Sequence, residues 1–468
     1  MRGCHLVVAL SMTMLPAGCA HGPDYQIPDI TLPATFKEEP GWKVAQPRDQ
    51  VPHGPWWEMF GDVVLNRLEE RLALDNQSLK VAEAQYRVAQ AQAEAAGAAL
   101  LPGLTGSLGV TRGKSAYAVK NGVTTPNLGL NASWELDLWG RIRRTVEAGE
   151  ANAQAGKTDL EGARLSLHAQ MAQNYFLLRV AEEQQRFYQK TLQAYEKSLT
   201  LTRHQRAAGV ATASDVAQAE SLLRSAQAQS LDTDLQRTQL EHLLAQLTGH
   251  TPAGFSLEPA PLPQGLPTIP PVLPSELLER RPDVAAAERR VAAANAQIGV
   301  ATAAFFPTLS LGIAGGYQGS NLSSWLETPA RFWSLGPSLA ANLFDGGLRR
   351  AQQSQALAAY DQAVANYRQI VLNAMQEVED NLAALRLLKE ESVAQEGAVQ
   401  AARQAQTLSE NQYRAGMVGY LAVVTTQTAT LTSERAALSL RGRLYTAVVT
   451  LIKALGGRWT IDPLAAQV

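Results

Sequence analysis

The sequence predicts a mainly α-helical chain with a membrane β-barrel component, in which one unit, a long helical hairpin plus two β-strands, is written twice. Three observations predict it. Proline is absent from Asn127 to Thr251 and again from Ser338 to Asp462, two runs of 125 residues each. Motifs return at offsets of 206 and 205: WGRIRR (Trp139–Arg144) as DGGLRR (Asp345–Arg350), and AEAQYRVAQAQ (Ala82–Gln92) as AERRVAAANAQ (Ala287–Gln297). Four segments of about ten residues alternate apolar with polar side chains, two in each copy, which is the period of a strand with one face in an apolar medium.

The first element is a leader. Residues 1–18 place Arg2 ahead of a short apolar stretch, Leu6 to Leu15, and Pro16-Ala17-Gly18 ahead of Cys19. That order reads as an export signal, and about ten apolar residues are too few to span a bilayer. Small residues before a cysteine resemble the bacterial lipoprotein processing site, with Pro16 where leucine is usual. The resemblance implies acylation of Cys19, and Ala20 behind it, in place of Asp, points to the outer membrane. The alternative is an ordinary cleaved leader with an incidental cysteine. Cys4 and Cys19 are the two cysteines of the chain, so the rest has no thiol for disulfide, metal or redox chemistry. Forty-one basic and 43 acidic residues nearly cancel, which leaves no charge excess for nucleic acid.

Residues 19–55 follow as a proline-rich strap, with seven prolines from Pro23 to Pro55 that exclude long helix. Repeat 1 covers 56–251, with strands near 103–112 and 127–138 and a helical hairpin over 140–249. A linker, 252–272, leads into repeat 2 over 273–462, with strands near 307–318 and 333–344 and a hairpin over 347–457. A short tail, 463–468, ends the chain.

Leu128, Leu130, Ala132, Trp134, Leu136 and Leu138 alternate with Gly129, Asn131, Ser133, Glu135 and Asp137; Leu335, Pro337, Leu339, Ala341 and Leu343 repeat the pattern. Tyr317, Trp134, Trp139, Trp333 and Phe344 near the strand ends fit the aromatic edging of outer-membrane barrels. Two hairpins of a soluble sandwich would alternate too, but would leave the long helices unexplained. Four strands cannot close on themselves in lipid, two copies would give a filled eight-stranded barrel, and three would give twelve strands and a pore. A homotrimer is therefore expected.

The proline-free runs are rich in Ala, Gln, Leu, Arg and Glu, and roughly 65 helical residues rise on the order of 100 Å. Leu357, Tyr360, Val364, Tyr367, Val371, Ala374 and Val378 recur at the 3.5-residue spacing of a coiled coil. Returning arms, Ser214–Gly249 and Leu421–Gly457, follow turns marked by Gly209 and Val210 in one hairpin and by Gly416 and Gly419 in the other, with Ser214 expected as a cap.

LPSELLERRPDVAAAERRVAAANAQIGVATAAFFP (Leu273–Pro307), with GPDY (Gly22–Tyr25), WWEMFGD (Trp56–Asp62), WELDLWGR (Trp134–Arg141) and LFDGG (Leu343–Gly347), resembles the outer-membrane factors of bacterial efflux systems, the TolC-like ducts, and among them the NodT-type lipoprotein branch. The resemblance runs through the mature chain in order. It implies a trimer with a twelve-stranded β-barrel on a long periplasmic α-barrel, working with a periplasmic adaptor and an inner-membrane transporter of the resistance-nodulation-division type. It also implies a periplasmic gate at the hairpin tips, which carries Tyr420 and Leu421 over as constrictors and makes the tip glycines and Val210 adaptor contacts. Thr425 and Thr428 stand where many members carry an acid and a base, so closure is expected to rest on apolar and hydroxyl groups unless Asp215 substitutes. Leu421 could equally pack between coils, and Asp215 could serve the helix N-terminus.

No catalytic pattern competes. The seven histidines make no pair at ligand spacing, GxSxG and HExxH are absent, and GVTRGKS (Gly109–Ser115) is one residue short of a phosphate loop. No cofactor is expected. Arg141, Arg143, Arg144, Arg349 and Arg350 form a basic cluster at the strand-to-helix junctions, solvated or paired, or facing the lumen and tuning ion passage. The other functional reading is a structural coiled-coil spacer in the periplasm, which needs neither alternating strands nor an open path.

Overall fold

The computed structural model describes residues 22–30, 55–113, 122–263, 265–267, 281–320 and 323–457. Cys19 with its leader, and the loop residues Lys114 and Ser115, lie outside them. Among the described residues the α-helices and strands run α1 (Val63–Asp75), α2 (Gln77–Ala98), β1 (Gly103–Gly113), β2 (Val123–Leu136), α3 (Arg141–Ala207), α4 (Ala213–Leu247), α5 (Pro282–Ala303), β3 (Thr308–Gln318), β4 (Arg331–Ala340), α6 (Leu348–Arg414) and α7 (Tyr420–Ala454). The repetition appears in the lengths: α2 and α5 have 22 residues each, α3 and α6 have 67, and α4 and α7 have 35.

The chain divides into two compact units, each drawing on both halves of the sequence. One unit holds the sheet, with residues 84–158 and 285–370 and the strap 22–30. Its four strands are antiparallel in the order β1-β2-β3-β4. Gly316 lies so close to β2 that any β-carbon there would collide with the Leu128 carbonyl oxygen. The strap is fastened by side chains: Asn295 Nδ2 donates to the Pro23 carbonyl at 2.9 Å, and the Tyr25 hydroxyl donates to Glu288. Gly22, at φ +124°, rests on α5 where a β-carbon would come within 2.6 Å of Gly299 Cα, so only glycine fits there.

Strand β4 is shorter than expected at its C-terminal end. Thr308–Ala340 is the last β3–β4 pair. Pro307, before it, has no N–H, and its carbonyl accepts from Trp139 Nε1 at 2.7 Å, so the ladder cannot continue. Leu343 and Phe344 fall outside the strand and are exposed. Strand β2 likewise ends two residues early, because the Asp137 carboxylate turns back to cap α3 through the backbone N–H groups of Ile142 and Arg143.

The second unit is helical, drawn from residues within 31–83, 159–284 and 371–468. Trp56, Leu65, Leu72, Met171, Phe176, Leu244, Val449 and Ile452 make its main core. Asp62 caps α1 by accepting from the Val64 and Leu65 N–H groups and also accepts a hydrogen bond from the Tyr175 hydroxyl at 2.5 Å. The segment after α4 is clasped to the helices by buried ions: Arg179 donates to the Glu258 carbonyl, Arg237 to the Leu257 carbonyl, and the Ala260 N–H to Glu182. Burial also pushes the Glu69 carboxyl well above its usual range, with His168 Nδ1 2.7 Å away. Of the expected coiled-coil stripe, Tyr367, Val371, Ala374 and Val378 are buried and Leu357 is exposed.

Arg281 closes the end of α7. Its guanidinium donates to the Ala454 carbonyl at 3.0 Å and pairs with Asp283 at 2.7 Å and Glu377 at 2.8 Å. A charge-assisted bond to an otherwise orphaned helix carbonyl contributes about 1.5–3 kcal/mol. Arg281→Ala is expected to lower the thermal or denaturant stability of the helical unit by that amount, and Asp283→Ala by much less, since an exposed carboxylate keeps its water.

Candidate functional site: a two-faced sheet and paired helix tips

Facing residues in antiparallel strands point to the same side, so the register assigns each side chain of the sheet to a face. One face is apolar: Leu104, Leu108 and Val110 from β1, Leu128, Leu130, Ala132 and Trp134 from β2, Leu311, Ile313 and Tyr317 from β3, and Trp333, Leu335, Pro337 and Leu339 from β4. Among the described residues nothing covers most of it; Leu108 is 73% and Trp333 79% exposed. The opposite face carries small polar residues such as Thr105, Ser107, Asn131, Ser133, Ser310, Ser334 and Ser338. Among the described residues, strands β1 and β4 each pair on one side only. Among the described residues no helix is long and apolar enough to cross a membrane.

Four of the five arginines of the basic cluster at the strand-to-helix junctions are paired. Arg141 forks onto Glu135 at 2.7 and 3.1 Å, Arg143 meets Asp137 at 3.3 Å, Arg144 meets Glu147 at 2.8 Å and Asp24 at 3.4 Å, and Arg349 meets Asp345 at 2.5 Å. The Arg349 guanidinium, with the Gly347 N–H, holds the Asp345 carboxyl below the usual range.

In the helical unit the tips of the two hairpins pack together. Tyr195, Leu199, Val216, Ala219, Leu223, Tyr420 and Val423 form a buried cluster. Two hydrogen bonds join the hairpins there: the Tyr413 hydroxyl donates to Gln205 Oε1 at 2.5 Å, and the Tyr420 hydroxyl lies 3.0 Å from Ser198 Oγ. Burial, with Tyr420 and Glu434 adding to it, pushes Tyr195 up to about 12. Gly209 and Gly416 take left-handed conformations at φ +75° and +73°, as the reversals require, while Gly419 at φ −74° is the N-cap of α7.

The structure separates the expected tip residues. Tyr420 is 3% exposed and packed between the hairpins, where its ring fills the tip core. Leu421, next to it, is 62% exposed, and Val210 is 76% exposed. Thr425 is exposed, with its hydroxyl donating to the Leu421 carbonyl at 2.8 Å. Asp215 belongs to a capping box in which Thr212, not Ser214, is the cap: the carboxylate accepts from the Thr212 N–H at 2.8 Å. Thr212-x-x-Asp215 resembles the sequence signature for that motif. Ser198 and Gln205 carried no signal, because their partners lie more than 200 residues away.

An uncovered apolar sheet face backed by a polar one, on a chain of long helical hairpins, defines an outer-membrane channel protein. The outer membrane efflux protein family model matches residues 68–250 and 273–457. The pyoverdine export outer membrane protein OpmQ of Pseudomonas aeruginosa is 34% identical over 418 residues, 87% of this chain and 88% of that one. Outer membrane protein OprJ of the same species is 31% identical over 97% of this chain and 96% of its own. Among solved structures, the outer-membrane channel OprN matches with a TM-score of 0.85 and 33% identity, over 94% of this chain and all of that one. The outer membrane protein VceC of Vibrio cholerae matches with a TM-score of 0.80 and 29% identity, over 88% of this chain and all of its own. The chain belongs to the outer membrane efflux protein family, and its place is the bacterial outer membrane.

The tip cluster makes a mutational contrast. Removing the Tyr420 ring costs about 3–5 kcal/mol, and removing only its hydroxyl about 1 kcal/mol. Tyr420→Ala is expected to speed tryptic cleavage at Arg206 and Arg414 strongly, Tyr420→Phe slightly, and Leu421→Ala not at all. Because the Tyr195 pKa is raised, its neutral form stabilises the tip below pH 10, and that contribution is lost as pH rises from 10 to about 12. Cleavage at the tip should therefore be flat with pH up to about 10 and rise above it, measured with a protease active across that range.

Proposed function

We propose that three copies of the chain form a passive duct, with a twelve-stranded β-barrel in the outer membrane and an α-helical barrel in the periplasm, through which toxic small molecules are exported. The observation that carries this reading is the sheet: an apolar face with no cover, a polar face behind it, and two open edges. Lipid would leave the edge N–H and C=O groups unpaired at several kcal/mol each, and neighbouring copies supply the missing strands. A spacer with no channel would have no use for such a face. The family is one of efflux channels and not an enzyme family.

Relatives of the chain are named for export of pyoverdine and for efflux of toluene and of antibiotics. For this chain they support a role as the outer-membrane component of a tripartite pump, with a periplasmic adaptor meeting the hairpin tips at Gly209, Val210, Gly416 and Gly419, and an inner-membrane transporter supplying the energy. Within the tips, exposed Leu421, with Thr425 one turn on, is the constricting element, and Tyr420 supports it from behind. The repeats 56–251 and 273–462, joined by 252–272, are the building units of the duct, and 19–55 is its strap. Acylated Cys19 is an accessory anchor, since the strap is already held at Gly22–Tyr25 and the barrel holds the membrane.

The purified protein in a planar bilayer is expected to conduct, and a stable single-chain species without conductance would overturn the reading. Cys19→Ser should abolish lipid labelling and leave a conducting trimer; loss of the trimer would show that the anchor, and not the barrel, holds the assembly.

A further inference from the structure

Arginines at the strand-to-helix junctions would tune ion passage if they faced a lumen unpaired, and in the structure most of their charge is balanced. Four of its five arginines pair with five carboxylates, Glu135, Asp137, Glu147, Asp24 and Asp345. The polar face of the sheet is neutral as well. Reading along its register from Gly103 to Ala340, Glu135 is the one ionisable residue on that face among the described residues, and both of its carboxylate oxygens are held by Arg141. The hydroxyls there lean on the sheet itself, Thr105 onto the Asn131 carbonyl and Thr308 onto the Ala340 carbonyl. Glycine occupies positions 109, 129, 312, 316 and 336 of the face, which keeps the wall thin. Arg112 and Arg331 lie on the apolar face, at the loop end of their strands, where a long side chain reaches headgroups.

We propose that the barrel is an uncharged exit with no charge filter, which passes anionic, cationic and neutral solutes alike. This rests on the duct reading, because it takes the polar face as the lumen wall. In a selective pore, rings of acidic or basic side chains set the local potential and thereby the sign of the ion admitted. A threefold wall built from this face repeats neutrality three times. Charge selection, where this pathway has any, belongs to other parts of it.

The local potential is measurable without opening the tips. Single cysteines at Asn131 and Ser107 on the polar face, and at Leu108 and Leu130 on the apolar face, are modified from outside with a cationic and an anionic methanethiosulfonate of equal size, the unsubstituted chain serving as blank for its own thiols. Asn131→Cys and Ser107→Cys should react with both reagents, in the same rate ratio as a free thiol in solution and with little dependence on ionic strength. Arg141→Gln, which releases Glu135, should shift the ratio at Asn131→Cys several-fold toward the cationic reagent. A tenfold bias toward either sign in the channel that retains Arg141 would overturn the neutral exit while leaving the duct standing. Reaction at Leu108→Cys and Leu130→Cys instead of the polar-face positions would overturn the face assignment, the duct reading and this proposal together. Two polar-face positions are used so that a folding defect at one leaves the other to decide.

Discussion

The sheet of this chain, on which its membrane role depends, follows from the requirement that backbone hydrogen bonds be completed wherever lipid replaces water. A four-stranded sheet with order β1-β2-β3-β4 satisfies its inner ladders and leaves the outer sides of β1 and β4 open. In water such edges could be solvated. The exposed row of Leu104, Leu108, Leu130, Leu335 and Leu339 is what a sheet in lipid requires, and in the proposed duct neighbouring copies close its edges.

The helices answer to a different constraint. Their faces are dominated by Ala and Gln rather than by continuous apolar stripes, and burial is concentrated in separate clusters: the main core beside α1, and the tip core around Tyr195 and Tyr420. Charged groups enter these helices chiefly as pairs or clasps. Arg179 and Glu182, each almost fully buried, pair with one another and tie the 258–260 backbone to the helices. A buried pair of this kind contributes little net stability but fixes one arrangement of the segment it binds, because removing either partner strands the other.

Much of this was legible in the sequence, and the gaps have physical causes. Alternation in Leu128–Leu138 marks β2, since a sheet between lipid and water writes its period directly into residue type. The same alternation misleads at Leu343, because residue type cannot report that Pro307 and Trp139 have already ended the partner strand. The glycines of the hairpin turns are legible at Gly209 and Gly416, where a left-handed φ is needed, and mislead at Gly419, which has no such need. Tyr420 and Leu421 are neighbours of similar apparent promise, and only the packing of one hairpin on the other buries the first and exposes the second. The arginine cluster reads as charge in sequence and as balance in three dimensions, because its carboxylates come from the strand end, the strap and the next turn of helix.

The central claim is that the open edges of the sheet are closed by other copies of the same chain, and stoichiometry tests it most directly. Native mass spectrometry of the full-length protein released from detergent should show three chains per complex, the number that makes twelve strands. A complex of one chain would contradict the account, because it would mean that β1 and β4 keep open edges in the membrane.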